Sequence, residues 1–375
     1  MRLSPRSRSR SSRLRLVLSA LVALGTGAAL LAPAPAQAAT SGFVTRSGGE
    51  LKLNGAPYTF SGVNAYSATT VWGTNAGCGP MMSTAQLDAM FAGLKPNSVV
   101  RIWAFQELVT HQKTRRRDWS PLDRVLSSAR AHNQRVIPSL ANHWGDCDDA
   151  IRHTKAWYDG GYKQVVRNQP QSYWNYVQAI AKRYRNDPTI AMWELINEPE
   201  TPTDTSGSCK DEHASAVTLR TFFDTVGARV KAAAPSHLIE SGVVGDGQCG
   251  ASGGDYSYVH ASPQIDVGSF HDYGNDSVQI PGDKWNGMQT RLDQLKALGK
   301  PMITGEVGIK ASDTAGGCKT NLAGRASLLQ RKRDGQSARG VKGFLVWNYM
   351  PTNDGSCNYE TVTAGDPVLS RMLNN

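Results

Sequence analysis

The sequence predicts a single (β/α)8 barrel of the α/β class, with a short N-terminal hairpin before its first strand. Eight short runs rich in Val, Ile and Phe recur along the chain, and helical patterns separate most of them. Continuous apolar runs of this kind are typical of strands buried in a parallel sheet. Such a barrel needs ~250 residues plus insertions, and a chain of 375 residues accommodates one.

The predicted elements alternate along the chain. The hairpin pairs Phe43–Arg46 with Glu50–Leu53 across a Gly-rich turn. The predicted strands are Tyr58–Val63, Ser98–Trp103, Arg135–Leu140, Thr189–Ile196, His237–Val243, Ile265–Phe270, Pro301–Gly305 and Val341–Trp347. The predicted helices are Ala85–Leu94, Leu122–Asn133, Gln171–Tyr184, Ala216–Ala233, Trp285–Leu298 and Asn321–Gly335. A doubly wound sheet is the alternative, but no G-x-G-x-x-G motif follows the first strand, so the barrel is favoured.

The N-terminus has the pattern of an export signal. Six arginines precede an apolar stretch at 16–31, and small residues at Ala36 and Ala38 form an A-x-A site. A membrane anchor is the alternative, but the stretch is short for a span and two prolines follow it directly. We therefore expect a signal peptide over 1–38, one barrel domain over 39–375, and a secreted protein.

Charge and hydropathy exclude two classes of partner. The net charge of +10 falls to +4 without residues 1–38, which carry six Arg and no acid, so bulk charge gives no reason to expect nucleic-acid binding. No other apolar run approaches ~20 residues, so we expect no membrane contact by the mature chain. We expect a monomer.

The six cysteines are expected to form disulfide bonds. Their even number fits an exported chain, and no C-x-x-C pair suggests a zinc cluster. Each cysteine follows a predicted strand, and in a barrel those stretches emerge at the C-terminal face, where active sites lie. Pairs between neighbouring loops, Cys209–Cys249 and Cys318–Cys357, are the simplest choice, and they leave Cys78–Cys147.

Two glutamates stand at the ends of predicted strands. Glu198 lies near the end of the run WELINEP, where Pro199 stops the strand. Glu306 lies near the end of MITGEVG, between two glycines that could let a ligand approach. The rims of the fourth and seventh strands could face each other across one cleft. Glycoside hydrolysis needs such a pair, one carboxyl as acid and the other as nucleophile or base.

From Phe43 to its C-terminus the chain resembles glycoside hydrolase family 5, a family of retaining (β/α)8 enzymes. The matching motifs are VVRIW, SLANHW, WELINEP, SFHDY, the strand-end glutamate of MITGEVG, and FLVWNY. The resemblance implies Glu198 as acid/base and Glu306 as nucleophile. The substrate-binding or supporting positions that it implies are Arg101, His143, Asn197, His271, Tyr273 and Trp347.

Physical chemistry gives each position a role. Arg101 and Tyr273 can donate to Glu306, so we expect a lowered pKa for this nucleophile. Burial and the charge of Glu306 should raise the pKa of Glu198. Asn197 can donate to the sugar 2-hydroxyl. Glu194 lies deeper in the barrel and is expected to pair with Arg101.

The remaining candidate positions are aromatic, histidine and acidic side chains. Trp347 offers a flat face to a sugar ring, and the same is expected of Trp72 and Trp144 just past strand ends. His143 and His271 can bind hydroxyls or hold the carboxylates. Several side chains could in principle bind calcium, namely Glu107, His111, Asp146, Asp148 and Asp149. Their spacing does not match that of an EF-hand loop, so we expect neither a metal nor a cofactor.

The substrate is predicted less sharply than the chemistry. The motif after Arg101 and the His-Asp-Tyr of the sixth strand resemble the family's β-1,4-mannanases. The alternatives are an exo-acting β-mannosidase or other β-glycosidase, an endo-β-1,4-glucanase, and, from another class, a sugar-binding protein without activity. The presence of both glutamates favours an enzyme acting on a polysaccharide or oligosaccharide.

Overall fold

A computed structural model describes residues 42–71, 78–166, 169–274, 280–314, 316–359 and 362–374. All of them belong to the compact unit that spans 38–375. The predicted signal peptide and Trp72 lie outside the described residues.

Eight parallel strands form the barrel and confirm the predicted fold class. They are β4 (Phe60–Asn64), β5 (Val99–Trp103), β6 (Arg135–Ser139), β7 (Met192–Glu194), β8 (Leu238–Glu240), β9 (Gly268–Asp272), β10 (Met302–Val307) and β11 (Gly343–Val346). Their order in the sheet is β8-β7-β6-β5-β4-β11-β10-β9. A single parallel bridge between Glu240 and Val267 joins the two edges and brings the sheet close to full closure.

Helices cover the outside of the barrel. They are α1 (Thr84–Ala92), α2 (Ser120–Ala131), α3 (Lys155–Tyr158), α4 (Tyr173–Tyr184), α5 (Glu212–Ala233), α6 (Asp255–His260), α7 (Met288–Ala297) and α8 (Leu322–Arg339). Short 3-10 turns at Gln106–Val109 and Gly161–Lys163, and a π-helical segment at Val368–Leu373, complete the set. The six predicted helices are present, and the short α3 and α6 were not predicted because each is too brief to show a helical period.

The N-terminal strands close one end of the barrel. The predicted hairpin is present as β1 (Val44–Ser47) and β2 (Glu50–Leu53), and a third antiparallel strand, β3 (Ala56–Pro57), extends it. Val44 and Leu51 are fully buried in one cluster with residues from the starts of the barrel strands. The opposite end, where the strands finish, is therefore the end that is left for a site.

Two strands differ from their predicted ranges in a way that matters for the site. The predicted fourth strand ran to Ile196, but β7 ends at Glu194, so Asn197 and Glu198 lie on the loop beyond it. The predicted sixth strand ended at Phe270, but β9 runs to Asp272 and contains His271. Pairing with the neighbouring strand extends β9, because Glu306 and Val307 of β10 lie in register with His271 and Asp272.

All six cysteines are paired as predicted. The bonds are Cys78–Cys147, Cys209–Cys249 and Cys318–Cys357, and each joins two loops that follow barrel strands. The three bonds therefore tie together the loops around the strand ends.

No helix in the described ranges combines the length and apolar character that crossing a bilayer requires.

Candidate active site

A cavity of about 540 Å³ opens among the loops at the C-terminal ends of the strands. Both predicted glutamates line it, Glu198 from the loop after β7 and Glu306 from β10. The other lining residues are Tyr66, Trp103, Asn142, Trp144, Asp146, Cys147, Asn197, Tyr273, Trp347 and Tyr359. A volume of this size is within the range of ligand-binding clefts.

Glu306 is buried and held by two donors. Nη1 of Arg101 donates to its Oε1 at 2.7 Å, and the Tyr273 hydroxyl donates to its Oε2 at 2.5 Å. The register of β10 shifts between Thr304 and Glu306, which marks a β-bulge at this point of the strand. Bulges next to active sites re-aim side chains, and this one accompanies the exposure of Glu306 to the cavity.

The glycines on either side of Glu306 make room for protein side chains. A Cβ on Gly305 would lie 3.0 Å from Nε2 of His271, and a Cβ on Gly308 would lie 2.5 Å from the Tyr273 ring. The sequence interpretation gave this space to a ligand. Instead, the two glycines allow His271 and Tyr273 to approach the carboxylate.

Glu198 is held in a conformation that few residues other than glycine adopt. Its φ is +49°, in the left-handed region, and its N–H donates to the carbonyl of Gly242 at 3.0 Å. Nε1 of Trp144 donates to its Oε2 at 2.7 Å, and Nδ1 of His271 lies 2.7 Å from its Oε1. Contacts from the loops after β6 and β8 and from His271 of β9 therefore fix both the backbone and the side chain of Glu198.

The two carboxyl groups are close together. One oxygen of Glu198, one oxygen of Glu306 and a ring nitrogen of His271 all lie within 4.8 Å of one another. Nδ1 of His271 is also 3.7 Å from Oε2 of Glu306. His271 thus contacts both carboxylates and does not line the cavity. Of its two predicted roles, this position fits holding the carboxylates in place and not binding sugar hydroxyls.

Arg101 is fully buried, and all five of its N–H donors are used. Nε and Nη2 donate to the two oxygens of Glu194 at 2.5 and 2.6 Å, the pairing expected from the sequence. Nη1 donates to Glu306 and to Oδ1 of Asn64 at 2.9 Å, and Nη2 also donates to Oδ1 of Asn197 at 2.6 Å. Arg101 therefore positions Glu306 and Asn197 from behind, because it does not line the cavity.

Asn197 is oriented from both ends of its amide group. Its oxygen accepts from Arg101, and its Nδ2 donates to Oδ1 of Asn142 at 3.0 Å. Asn142 lines the cavity beside it, although sequence reasoning did not select this residue. Its place two residues beyond the predicted third strand is the signal that could have found it.

The pKa values of the two glutamates have the opposite order from the one predicted. Burial raises the pKa of Glu306 above its ordinary value, and the charges of His271 and Arg101 offset this only in part. Burial also acts to raise the pKa of Glu198, but the hydrogen bond and charge of His271, with the Trp144 hydrogen bond, lower it. The prediction was wrong because it counted neither the burial of Glu306 nor a positive charge on His271 and the Trp144 hydrogen bond beside Glu198.

The surroundings of His271 and Glu198 favour a proton on the imidazole over one on the carboxyl group. Burial alone would lower the pKa of His271, but the charge of Glu306 and the hydrogen bond and charge of Glu198 raise it. Burial and the neighbouring Glu306 raise the pKa of Tyr273 well above its ordinary value, so its hydroxyl remains a donor. These pKa directions favour a protonated imidazole at His271 beside an ionised Glu198.

His143 lies behind the cavity wall and not on it. It is fully buried, its Nδ1 is 3.3 Å from the Tyr158 hydroxyl, and its ring packs edge-on against Trp144. Burial lowers its pKa to about 3, so the ring is neutral. His143 was predicted to bind substrate, but the larger Trp144 occupies the position between it and the cavity.

Aromatic side chains form one wall of the cavity. Trp347 stacks on Tyr66 with ring centres 5.6 Å apart and lies 5.8 Å from the Trp103 ring. On another side Tyr359 packs edge-on against Tyr273 at 5.3 Å. Trp347 and Trp144 were predicted, and the two tyrosines outside the strands, Tyr66 and Tyr359, were not.

Two groups of side chains have the spacing of metal ligands within the described ranges. One is the set formed by Glu198, His271 and Glu306, and the other contains Glu212 beside Cys209 and Cys249. The second group is committed to other bonding, because its two cysteines form a disulfide. Of the acidic residues considered for calcium, Glu107 pairs with Arg115 at 2.7 Å and Asp149 lies 3.1 Å from His153.

Two carboxyl groups this close, beside an aromatic wall, form the arrangement that glycoside hydrolysis needs. The family described as cellulase, glycosyl hydrolase family 5, matches residues 51–338. The chain belongs to glycosyl hydrolase family 5 and is an O-glycosyl hydrolase.

Its relatives include several mannanases. Mannan endo-1,4-beta-mannosidase 8 of Oryza sativa subsp. japonica is 30% identical over 312 residues, which cover 71% of this chain and 80% of the relative. Mannan endo-1,4-beta-mannosidase A of Hypocrea jecorina is 26% identical over 90% of this chain and 76% of its own. The endo-1,4-beta-mannanase structure from Rhizomucor miehei has a TM-score of 0.63 at 20% identity and covers 89% of this chain and 98% of its own, a likeness of fold.

Proposed function

We propose that this protein hydrolyses β-1,4 bonds of mannan-type polysaccharides by double displacement with retention of configuration. Glu306 is the nucleophile and Glu198 the acid/base. The observation that carries this proposal is the approach of a Glu198 oxygen to within 4.8 Å of a Glu306 oxygen. Retaining enzymes hold their carboxyl groups about 5–5.5 Å apart, whereas inverting enzymes need about 6.5–9.5 Å to admit a water.

The first step forms a covalent bond between the sugar and Glu306. A carboxylate oxygen attacks the anomeric carbon while Glu198 protonates the oxygen of the leaving sugar. Arg101 and Tyr273 donate to the two oxygens of Glu306 at 2.7 and 2.5 Å, and so fix the direction of attack. In the second step Glu198 takes a proton from water, which attacks the same carbon and releases Glu306.

The proton for the leaving group comes from the pair that His271 and Glu198 form. We place this proton on His271 before substrate binds, because the pKa of His271 is raised and its Nδ1 is 2.7 Å from Oε1 of Glu198. Transfer across this hydrogen bond gives a neutral Glu198, the form that can act as an acid. Bound sugar favours the transfer, because it excludes water and therefore disfavours two separated charges.

The cavity offers apolar faces and polar groups that suit a sugar chain. Trp347 and Tyr66 present stacked rings, and Trp144 stands beside the carboxyl group that protonates the leaving sugar. Asn142 and Asp146 supply polar groups at the same wall. We also propose that Trp72 offers a flat aromatic face to a sugar ring, as the sequence predicts.

The choice of mannan rests on the relatives. The rice and Hypocrea proteins are mannan endo-1,4-beta-mannosidases, and the match spans 71% and 90% of this chain. We propose the same bond and an internal cleavage site for this enzyme. We further propose that residues 1–38 are a signal peptide and that the enzyme is secreted and acts as a monomer without metal or cofactor.

One comparison of substrates tests the proposed function. Purified protein would be assayed for new reducing ends on linear mannan, glucomannan and carboxymethylcellulose, and for release from an aryl β-mannoside. Mannan and glucomannan should be cleaved to mixed oligosaccharides. Faster cleavage of carboxymethylcellulose would indicate a glucanase, and release of single mannose units alone would indicate an exo-acting enzyme. A Glu200→Gln variant should cleave the same substrates as the wild type, because Glu200 is a nearby carboxylate that does not line the cavity.

A further inference from the structure

Glu240 is a buried acid that the proposed reaction does not use. It ends β8, its exposed fraction is zero, and it lies in register with Glu194 of the neighbouring strand β7. Its Oε2 accepts the N–H of Gly242 at 2.6 Å, and its Oε1 accepts no hydrogen bond from any N–H or hydroxyl group in the described ranges. Among those residues no Lys, Arg or His side chain forms an ion pair with it.

The neighbouring Glu194 is in the opposite situation. It is equally buried, but both of its oxygens accept from Arg101, at 2.5 and 2.6 Å. Glu194 and Glu240 lie directly opposite each other on the paired strands β7 and β8, both fully buried, and a hydrogen bond between their carboxyl groups contributes to the pKa of each. Two carboxyl groups can form such a bond only if one of them carries a proton. Because Glu194 is paired with a cation, the proton belongs to Glu240.

We propose that Glu240 is a neutral carboxylic acid that donates to Glu194 and thereby acts as a positioning residue for Arg101 and the nucleophile. This inference rests on the proposed role of Glu306. The chain of contacts runs from Glu240 to Glu194, then through Arg101 to Glu306, and three of its four members are completely buried.

Burial and charge support this assignment of the proton. Burial raises the pKa of Glu240 well above its ordinary value and the charge of Glu194 raises it further, while the charge of Arg101 and the Gly242 N–H offset this only in part. Burial acts on Glu194 in the same direction, but the charge and hydrogen bonds of Arg101, with the hydrogen bond from Glu240, lower its pKa. Where the pair holds one proton, that proton therefore resides on Glu240.

The trapped proton keeps the charge around Arg101 in balance. With Glu240 neutral, one buried cation faces the carboxylates of Glu194 and Glu306. An ionised Glu240 would add a third negative charge in a region without solvent, and it would compete for Arg101 and raise the pKa of Glu306. Because every donor of Arg101 is already in use, a shift of Glu194 would move the guanidinium away from Glu306.

Two substitutions of similar size test the proposal. Glu240→Gln stays neutral and keeps an N–H donor for Glu194, whereas Glu240→Leu is neutral but has no donor. Each would be assayed over a range of pH on whichever β-glycoside the wild-type enzyme cleaves. We expect E240L to lower kcat about tenfold with little change in KM, and to move the acidic limb to higher pH. E240Q should recover most of the lost kcat and keep the wild-type acidic limb.

The opposite pattern would overturn the proposal. An acidic limb of the pH–rate profile that moves to lower pH in E240Q would mean that Glu240 is normally ionised. A wild-type kcat and an unchanged pH–rate profile in E240L would mean that the hydrogen bond of Glu240 does not help to position Arg101 or Glu306.

An infrared measurement tests the proton itself and needs no activity. The wild-type minus E240Q spectrum at neutral pH should contain the carbonyl stretch of a protonated carboxyl group, and its absence would contradict the assignment even if E240L did not fold. A protein that shows this band but cleaves no glycoside would contradict the proposed function and leave the proton on Glu240 in place.

Discussion

Nδ1 of His271 lies 2.7 Å from a carboxylate oxygen of Glu198 and so forms an ion pair inside the candidate active site. The same nitrogen is 3.7 Å from Glu306, and the two carboxylates together raise the pKa of the imidazole despite its burial. The acid of the proposed reaction is therefore a pair of residues that share one proton, and the apparent pKa values of His271 and Glu198 belong to the pair.

Replacement of His271 by Asn tests this sharing through the pH profile. In the wild type the basic limb should report the loss of the last proton from the pair, and we expect it above the ordinary histidine value of about 6.5 because the pKa of His271 is raised. Asparagine can donate to Glu198 but holds no titrating proton. The basic limb of H271N should therefore report Glu198 alone and move to lower pH.

A buried histidine away from the site provides the control. His237 contacts the carbonyl of Asp187 and packs against Phe43 of the N-terminal sheet. H237N should leave both limbs in place, although it can lower stability. An unchanged basic limb in H271N would show that Glu198 holds the proton without help.

Alanine substitutions should separate the roles of the two glutamates. Glu306→Ala removes the nucleophile, and we expect kcat to fall about 10⁴-fold or more. Glu198→Ala should still form the glycosyl intermediate from an aryl mannoside with a good leaving group, because that group needs no proton. Azide should then rescue E198A and give a β-mannosyl azide, whereas any azide product from E306A should be the α-anomer. Exchanged behaviour of the two variants would reverse the assignment.

The positions of the two glutamates could be predicted because they depend on strand ends alone. An apolar run that stops at Pro199, and another that stops beside Gly308, are visible in the sequence, and parallel strands bring their ends to one face of the barrel. The same reasoning located Arg101, Asn197 and Trp347.

Loop residues could not be predicted in this way. Tyr359 reaches the cavity on a loop that the Cys318–Cys357 bond ties down, and Tyr66 does so by stacking on Trp347. These placements depend on contacts between distant segments, which have no periodic signal. His143 was misplaced for the same reason, since only the packing of Trp144 decides which of the two rings faces the cavity.

The order of the pKa values of Glu198 and Glu306 also could not be predicted from the sequence. It depends on which carboxylate receives the proton of His271, a matter of about one ångström between the 2.7 and 3.7 Å contacts. The role of Glu240 was hidden in a similar way, because its position at the end of a short apolar strand gives no sign that it faces Glu194.

Truncation of the aromatic wall should weaken transition-state binding. Trp347→Ala removes a ring that lines the cavity, and we expect kcat/KM on mannan to fall about tenfold or more. Trp285→Ala is the matched control, because Trp285 is 64% exposed and lies outside the cavity lining. Equal losses in the two variants would mean that the cavity is not where the sugar chain binds.

Exhaustive treatment with EDTA should leave activity intact. Protonated Glu198 supplies the acid and ionised Glu306 the nucleophile, so the proposed reaction needs no Lewis acid. Rates on mannan would be compared before chelation, after it, and after addition of divalent ions. Loss on chelation with recovery on addition of one ion would instead indicate that a metal takes part.

The configuration of the first product tests the double displacement most directly. Proton NMR of a mannan oligosaccharide during cleavage by a high concentration of enzyme would record the new reducing end before it mutarotates. The proximity of Glu198 and Glu306 predicts that the β-anomer appears first and the α-anomer only later. An α-anomer that appears first would mean inversion in a single displacement, and it would contradict a covalent intermediate on Glu306.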